Sequence, residues 1–481
     1  MKEVLKLGLS SLYLVFLFGF DLPDGFGTES QRRTGMDQQG NRGEVGVFEL
    51  EEFSVFEEKL PPKYKFLQRG QYSVIGDEPN PKVKVYPELK SEKPVYGWVI
   101  FNHGLFYSNR FGTEYYFVVD ESGGTGKGYD LFYFDLNNDF DLSDDEPLKP
   151  TSKSSDENLL QLVKEGEDLP PLEIMFEAFT LVLSSGRVQR GQPEEIKIIP
   201  KFIKSGDQHQ FTYVMFVAAA ARRGKIKLGS KEMEVILARY PYITSRFNSL
   251  ISGLYLDDEH EPDPFLCTMR NIDGKLYNFS ASPDGNRLFV RSYEGDFGFL
   301  EVGKTAGELK DAKFTAGSLV GRRNIVSLED CPKEGDKIKI PAGNYRPNVL
   351  LMKSEKLAIC LSGQAMMGGQ FEEEGAGDQN NIQITPDKPF AFDFTHETEV
   401  EFIRPQVNEV FKPGEEVRVA SMINIPDMDL QLMAIHDPTA KYVSGVGFGS
   451  GKRSIIASIH PVVKIINSSG MVMHEGKMPF G

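Results

Sequence analysis

The sequence predicts a mainly β protein, built from several β-sandwich or β-sheet domains in tandem, the last of which is immunoglobulin-like. Short segments that alternate apolar and polar residues recur along the chain between turns rich in Pro and Gly, as they do in sandwiches. Aromatic residues favour strands, and the chain has 35 Phe and 18 Tyr among its 481 residues. Helical periodicity is limited to two short candidates, residues 157–164 and 243–254.

The start of the chain has the pattern of an export signal. Lys2 and Lys6 precede an apolar run over residues 7–20, which is shorter than the roughly 20 residues of a membrane span but typical of a signal peptide. We therefore expect a signal peptide at residues 1–20, with a buried N-terminal strand as the alternative. Residues 21–44 are polar and rich in Gly, which predicts a flexible linker. An exported protein would reach the periplasm, the cell surface or the extracellular space.

The remaining chain divides into three predicted regions, in line with roughly 150 residues per domain. Residues 45–265 form an N-terminal β-rich region, residues 266–395 a middle β-rich domain, and residues 396–481 an immunoglobulin-like sandwich. Within the first region, apolar alternation and aromatic content predict strands at residues 82–86, 95–102, 114–120, 130–134, 173–183, 195–204, 213–221 and 232–238. No segment after the signal has the length of a membrane span, so we expect none in the mature chain.

The last two regions follow the same pattern. Two strand-like segments flank the turn-forming residues Pro283-Asp284-Gly285-Asn286, which predicts a hairpin. Further strands are predicted at residues 337–340, 349–352, 357–361, 392–402, 416–423, 429–435 and 462–466.

Charge and cysteine content exclude several classes of function. The chain has 54 basic and 70 acidic residues, a formal charge of −16, whereas nucleic-acid binding needs a basic face. An acidic protein of this kind can instead attract cations. Cys267, Cys331 and Cys360 are far apart in sequence, so they predict no zinc or iron–sulfur site. Three buried thiols are favoured over one disulfide with one free thiol.

One acidic segment matches the twelve-residue pattern of a calcium loop. Calcium takes six to eight oxygen ligands, and alternating side chains on a tight turn can bring such oxygens to one ion. The candidate ligands are Asp135, Asn137, Asp139, the backbone carbonyl of Asp141, Ser143 and Glu146. We therefore predict a structural calcium site, in which Glu146 supplies two oxygens and the apolar Leu142 anchors the loop to the core.

The segment departs from the EF-hand pattern in two ways. Phe140 occupies the position where the sharp turn requires Gly, so we expect a wider turn and weaker binding. The preceding residues are strand-like, so the loop is flanked by strands and lacks an entering helix. The alternative is a solvated acidic turn without a metal.

Recognisable catalytic motifs are absent from the sequence. The glycine-rich segments at 122–128 and 449–452 lack the spacing of a phosphate loop, and neither H-E-x-x-H nor G-x-S-x-G occurs. We therefore favour a non-enzymatic exported protein with a binding or structural role. Two alternatives stay open: an exported hydrolase that acts on glycans through a carboxylate pair formed on folding, and a purely structural envelope protein.

Several short motifs between about residue 90 and the end of the chain are similar to motifs in a known group of proteins. They include Lys93-Pro-Val-Tyr-Gly97, Tyr116-Phe-Val-Val-Asp120, the segment from Gly126 to Asn137, and Ile340-Pro-Ala-Gly-Asn-Tyr345. On the basis of these motifs, the chain resembles a loose group of exported bacterial proteins of the planctomycete type. No function is assigned to that group. The resemblance implies export, β-structure and the acidic D-x-N-x-D-x-D-L loop, but no activity. Phe411-Lys-Pro-Gly-Glu-Glu-Val417 also resembles the opening of an immunoglobulin-like sandwich. The ligand stays unknown, with a cell-envelope or extracellular molecule as the expected class.

Overall fold

A computed structural model of the chain describes a series of separate ranges, to which all structural statements refer. These are residues 45–57, 60–68, 70–101, 113–125, 128–153, 172–183, 194–204, 212–240, 243–244, 246–249, 252–257, 265–321, 324–363, 382–395, 399–404, 420–425, 430–436, 459–460, 462–466 and 471–477. The predicted signal peptide, the predicted linker and the helix candidate at 157–164 lie outside them. Within these ranges, no helix is long and apolar enough to span a membrane.

Strands make up nearly all of the regular structure, as the sequence predicted. The first half contains β1 (Val45–Glu49), β2 (Glu51–Ser54), β3 (Gln71–Tyr72), β4 (Val74–Gly76), β5 (Val95–Phe101), β6 (Thr113–Asp120), β7 (Leu131–Phe134), β8 (Pro150–Lys153), β9 (Leu172–Phe176), β10 (Phe179–Leu183), β11 (Glu194–Lys204), β12 (Thr212–Ala218), β13 (Ala220–Leu228), β14 (Lys231–Ala238) and β15 (Gly253–Leu256). Short 3-10 helices lie at Pro62–Gln68 and Gly307–Leu309.

The second half continues with strands of similar length. It contains β16 (Thr268–Ile272), β17 (Lys275–Ala281), β18 (Arg287–Ser292), β19 (Phe297–Thr305), β20 (Lys313–Val320), β21 (Ile325–Ser327), β22 (Lys333–Glu334), β23 (Lys337–Pro341), β24 (Gly343–Lys353), β25 (Ala358–Ser362), β26 (Ile382–Ile384), β27 (Phe390–Phe394), β28 (Glu399–Arg404), β29 (Ala420–Ile425), β30 (Leu430–His436), β31 (Val462–Ile466) and β32 (Val472–Lys477).

The first sandwich has an aromatic core. A four-stranded sheet in the order β4-β5-β6-β7 faces a sheet in the order β3-β12-β11-β9-β8, in which β10 also pairs with β11. Their inward side chains form one buried cluster that includes Phe101, Phe117, Phe132, Phe134 and Phe216. Ring pairs in this cluster are stacked or edge-on, with centroids 5.3 Å apart for Phe117 and Phe132. Such pairs add about 0.5–1.5 kcal/mol each beyond the burial of apolar area.

The second sandwich lies between the sheet β15-β14-β13-β2 and the end of a larger sheet formed by β1, β18, β17 and β16. Its core includes Leu50, Val235, Leu237, Leu288 and Val290. The predicted hairpin is confirmed as β17 and β18. Its turn is stabilised by Asp284, whose Oδ1 accepts a hydrogen bond from the Asn286 amide at 3.1 Å.

The third sandwich packs the sheet β22-β23-β19-β27 against the continuation of that larger sheet through β21, β20, β24 and β25. Strand β16 connects the second and third sandwiches, because it pairs antiparallel with β17 and parallel with β21. The larger sheet therefore runs through both sandwiches without a break.

The hydrophobic cores of the sandwiches do not follow the domain boundaries predicted at residues 265 and 395. Strands on both sides of residue 265, such as β14 and β18, contribute to the core of the second sandwich. Strand β30 pairs with β25, and β29 and β28 follow it, so the larger sheet also extends past residue 395. Only β31 and β32 form a sheet of their own in the described part of the C-terminal unit.

Two element predictions are wrong. Residues 82–86 form no strand: Val85 makes an isolated bridge to Asp141 and is exposed, whereas Val83 is buried. The described residues of 243–254 contain no helix and lead into the start of β15. Ile243 is buried in the core of the first sandwich, and Phe247 and Leu254 are buried in that of the second. None of the three cysteines forms a disulfide in the structure; Cys267 and Cys331 are buried as predicted, whereas Cys360 is half-buried.

Candidate cation-binding loop

The acidic loop covers the outer face of the four-stranded sheet. It begins where β7 ends, and the Asp135 amide still donates to the Tyr116 carbonyl of β6 at 3.0 Å. Leu142 is fully buried beside Tyr116 and Val118 of β6, so it anchors the loop as the sequence predicted. The loop closes after residue 146, where Leu148 and Phe132 exchange backbone hydrogen bonds at 2.9 and 3.2 Å.

Alternating polar residues hold the loop together through a series of short-range hydrogen bonds. The side-chain oxygen of Asn137 accepts from the Asp139 amide at 3.1 Å. Asp139 accepts in the same way from the Asp141 amide at 2.9 Å, and Asp141 from the Ser143 amide at 2.9 Å. Asn and Asp favour this bond to the amide two residues on. The period-2 spacing in the sequence thus produces a continuous ladder of turns.

Asp135 organises the start of the loop. Its side chain is fully buried, and its two oxygens accept hydrogen bonds from the amides of Asp139 at 3.1 Å and Phe140 at 3.0 Å. Burial raises the pKa of Asp135, and these amide donors offset only part of that effect. Each carboxylate oxygen has a second lone pair. Asp135 can therefore contact a cation without losing its backbone partners.

Phe140 does not widen the turn, contrary to expectation. Its φ is +70° and that of Asn138 is +58°, so both adopt the left-handed conformation that normally favours Gly. This conformation costs about 1–2 kcal/mol for a residue with a side chain. The Phe140 ring packs on Tyr116, with centroids 5.6 Å apart, and the Phe140 carbonyl accepts from the Lys84 amide at 2.8 Å. Those contacts hold the residue in the tight turn.

Asp145, and not the predicted Glu146, faces the start of the loop. The Leu136 amide donates to Asp145 Oδ1 at 3.4 Å. Burial raises the pKa of Asp145 to about 6, and the charges of Asp135, Asp144 and Asp139 add to the rise. Glu146 is exposed, and its charge acts on Tyr133 instead. The structure therefore brings Asp135 and Asp145 together and leaves Glu146 outside.

Two buried oxygens of the loop are of the chemical type that could bind a hard cation. Asp145 Oδ2 and Asn138 Oδ1 are buried and have no hydrogen-bond partner among the described residues. Buried polar atoms are nearly always paired, and carboxylate and amide oxygens are the ligands that calcium prefers. The described ranges contain no cluster of three or more His, Cys, Asp or Glu side chains placed for a metal. Any cation here would therefore need amide, carbonyl or water oxygens beside the two carboxylates.

The other predicted ligands lie at the surface. Asn137, Asp139 and Ser143 are exposed, and Asp141 is half-buried. Hydrogen bonds from the Ser143 hydroxyl and amide lower the pKa of Asp141. Asn137, Asp139 and Asp141 accept hydrogen bonds from backbone amides of the loop itself, and the Ser143 hydroxyl donates to Asp141 Oδ1.

Sequence reasoning missed two buried acids in the first sandwich. Asp120 and Glu121 follow the apolar residues of β6 and are fully buried. Asp120 accepts from the amides of Lys90 at 2.9 Å and Ser91 at 2.8 Å, and Glu121 accepts from the Gly128 amide at 2.6 Å. The only sequence signal is an Asp-Glu pair directly after a buried strand. Their backbone partners indicate that they fix the neighbouring segments.

No protein-family model, curated protein or solved structure matches the chain. The resemblance to exported bacterial proteins stays a prediction. The residues of the loop therefore carry the functional proposal.

Proposed function

We propose that residues 135–146 bind calcium, and that the chain is an exported, non-enzymatic multidomain β protein with a binding or structural role at the cell surface or in the periplasm. The observation that carries the calcium site is the buried Oδ2 of Asp145, which has no hydrogen-bond partner among the described residues. Burial and the charge of the buried Asp135 raise the pKa of Asp145, because two interacting carboxylates repel each other when both are charged. A divalent cation would remove that repulsion and supply the missing partner.

A bound calcium would join the two ends of the loop. Asp135 directly follows β7, and Asp145 precedes the residues that pair with Phe132 of the same strand. A cation held by both would tie the loop, and Leu142 within it, to the outer face of the first sandwich. Binding to the folded state alone adds about 2.7 kcal/mol of stability when free calcium is 100 times the dissociation constant.

Export and an immunoglobulin-like C-terminal unit belong to the same proposal. Support for export comes from the charged and apolar residues at 1–20. Support for the C-terminal unit comes from residues 411–417, whose sequence resembles the opening of such a sandwich. Expression with the native N-terminus, followed by intact-mass measurement of the exported form, tests export: a mass equal to the full chain, or protein only in the cytoplasm, would contradict it.

Substitution of Asp145 provides the sharpest test of the calcium site, with Glu146 as the matched control. We expect calcium to raise the melting temperature of the wild-type protein, and Asp145→Asn to lower the calcium affinity at least tenfold. Glu146→Gln should change the affinity less than threefold. Calorimetric titration with calcium into chelator-treated protein measures both. Without calcium, Asp145→Asn should melt higher than wild type, because the repulsion with Asp135 is gone.

Three results would reject the calcium site. They are the absence of heat and of any melting shift on adding millimolar calcium, equal losses of affinity for the two variants, or a calcium-free Asp145→Asn protein that melts lower than wild type.

A further inference from the structure

The N-terminal part of the described chain contributes to four sheets in succession. Within residues 45–76, which we call the strap, β1 joins the larger sheet, β2 the sheet of β13, β3 the sheet of β12, and β4 the sheet of β5. Each of these four strands is the terminal strand of its sheet. The strap therefore covers one edge of every sheet in the first two sandwiches.

Apolar side chains fix the middle of the strap at the junction between these sandwiches. Six of them are buried: Leu50, Phe53, Val55, Leu60, Tyr64 and Leu67. Five of these, all but Leu50, share a core with Val217 of the first sandwich and with Ile236 and Tyr255 of the second. Full burial of such a side chain contributes about 1.5–3 kcal/mol. The strap thus fills a core to which both sandwiches contribute.

The strap also bonds to the residue that joins the two sandwiches. Ala219 alone separates β12 of the first sandwich from β13 of the second. The Ala219 amide donates to the Lys197 carbonyl of β11 at 2.9 Å, and its carbonyl accepts from the Val55 amide of the strap at 3.0 Å. This backbone pairing limits bending at the junction.

Ion pairs add to the attachment on the second sandwich. Glu57 pairs with Arg223 at 3.1 Å and Lys63 with Glu234 at 3.0 Å, and the Tyr64 hydroxyl also donates to Glu234. Exposed pairs of this kind contribute little stability each, but they fix the register of the strap on β13 and β14.

We propose that the strap clamps the first two sandwiches into one body and shields their sheet edges from strand pairing with a second copy of this chain. If the strap is displaced, β18, β13, β12 and β5 become terminal strands with unpaired amides and carbonyls. Such free edges pair readily with another chain. Displacement of the strap would therefore make these edges available for pairing with a second copy of the chain.

Gly70 allows a test that removes no apolar side chain from either sandwich core. A Cβ at Gly70 would lie 2.0 Å from the Phe216 carbonyl oxygen and 3.0 Å from the Val217 Cα. Gly70→Ala therefore forces the strap away from β12. Gly76→Ala is the matched control within the same strap, because its Cβ would meet only the Glu78 amide nitrogen at 4.0 Å.

Hydrogen exchange and sedimentation on the full chain measure the outcome. In Gly70→Ala we expect the amides of β1, β2, β12 and β5 to exchange at least tenfold faster than in wild type. We also expect concentration-dependent dimers or larger species. Gly76→Ala should match wild type in both measurements.

Faster exchange limited to residues 70–72 would contradict the proposal that the strap detaches as one unit. Fast exchange along the whole strap in a protein that stays monomeric would overturn the shielding of edges. If Gly70→Ala yields no soluble protein, the same two measurements are made on Leu60→Ala. This substitution removes one buried apolar side chain of the strap and introduces no backbone clash.

Discussion

Asn138 combines a left-handed backbone with an unpartnered side-chain oxygen. It adopts a left-handed φ of +58°, and its Oδ1 is buried with no hydrogen-bond partner among the described residues. Both features destabilise the calcium-free loop, since a strained backbone and an unpaired polar atom each cost free energy. Strain of this kind is concentrated at functional sites, which agrees with the proposed cation site.

Replacing Asn138 with Gly should stabilise the calcium-free protein. Gly accepts the left-handed conformation and removes the unpartnered oxygen, and these gains exceed the entropy that Gly adds to the unfolded chain, so we expect a net gain of about 0.5–1 kcal/mol in the free energy of unfolding. Asn137→Gly is the control and should lose about 1 kcal/mol, because Asn137 accepts from the Asp139 amide. Urea unfolding in chelator measures both. A loss of stability in Asn138→Gly as large as that in Asn137→Gly would contradict the expectation.

Asp145 should give the calcium-free protein an unusual pH dependence. Its pKa in the folded state is about 6, above the value of about 3.9 in an unfolded chain. The folded state therefore binds the proton more tightly, and stability from this group increases as the pH falls from 7 towards 4. We expect the melting temperature in chelator to rise from pH 7 to pH 5 in wild type. Asp145→Asn should lack this increase, and identical pH profiles would contradict the assignment.

At the scale of elements, the loop depends on one apolar anchor. Leu142 is fully buried against the outer face of the four-stranded sheet, whereas Leu136 in the same loop is 40% exposed. The sequence distinguished the two only through the position of Leu142 in the calcium-loop pattern.

Truncation of this anchor should release the loop. Leu142→Ala should destabilise the protein by about 2–5 kcal/mol and weaken calcium binding, because burial of the side chain holds the ligands in place. Leu136→Ala should change stability by less than about 0.5 kcal/mol. Thermal melting and calcium titration of the two variants test this. Equal effects of both substitutions would show that Leu142 is no anchor.

The strands themselves were well predicted, because their pattern is local. Period-2 alternation and aromatic content correctly indicated β5, β6, β7 and β11, in which alternate side chains face the aromatic core. The same pattern failed at residues 82–86, where Val83 is buried but the segment lies on the face of a sheet instead of in it. A short alternating segment does not specify whether a partner strand is available.

At the scale of the whole molecule, the larger sheet crosses the predicted domain boundaries. Strand β16 pairs on both sides, so the second and third sandwiches share one sheet. The strap connects the first and second sandwiches through a common core. The described chain therefore has several cores, of which the second and third share one continuous sheet.

The sequence by itself determined the β class, the positions of most strands and the acidic loop with its apolar anchor, because these depend on residue type and spacing over a few residues. Only the tertiary structure decided that Asp145 instead of Glu146 faces Asp135, that Phe140 keeps the turn tight, and that Asp120 and Glu121 are buried. It also decided that the strap covers four sheet edges. These features depend on contacts between segments that are distant in sequence. Such contacts produce no periodic pattern in the local sequence, so sequence analysis does not detect them.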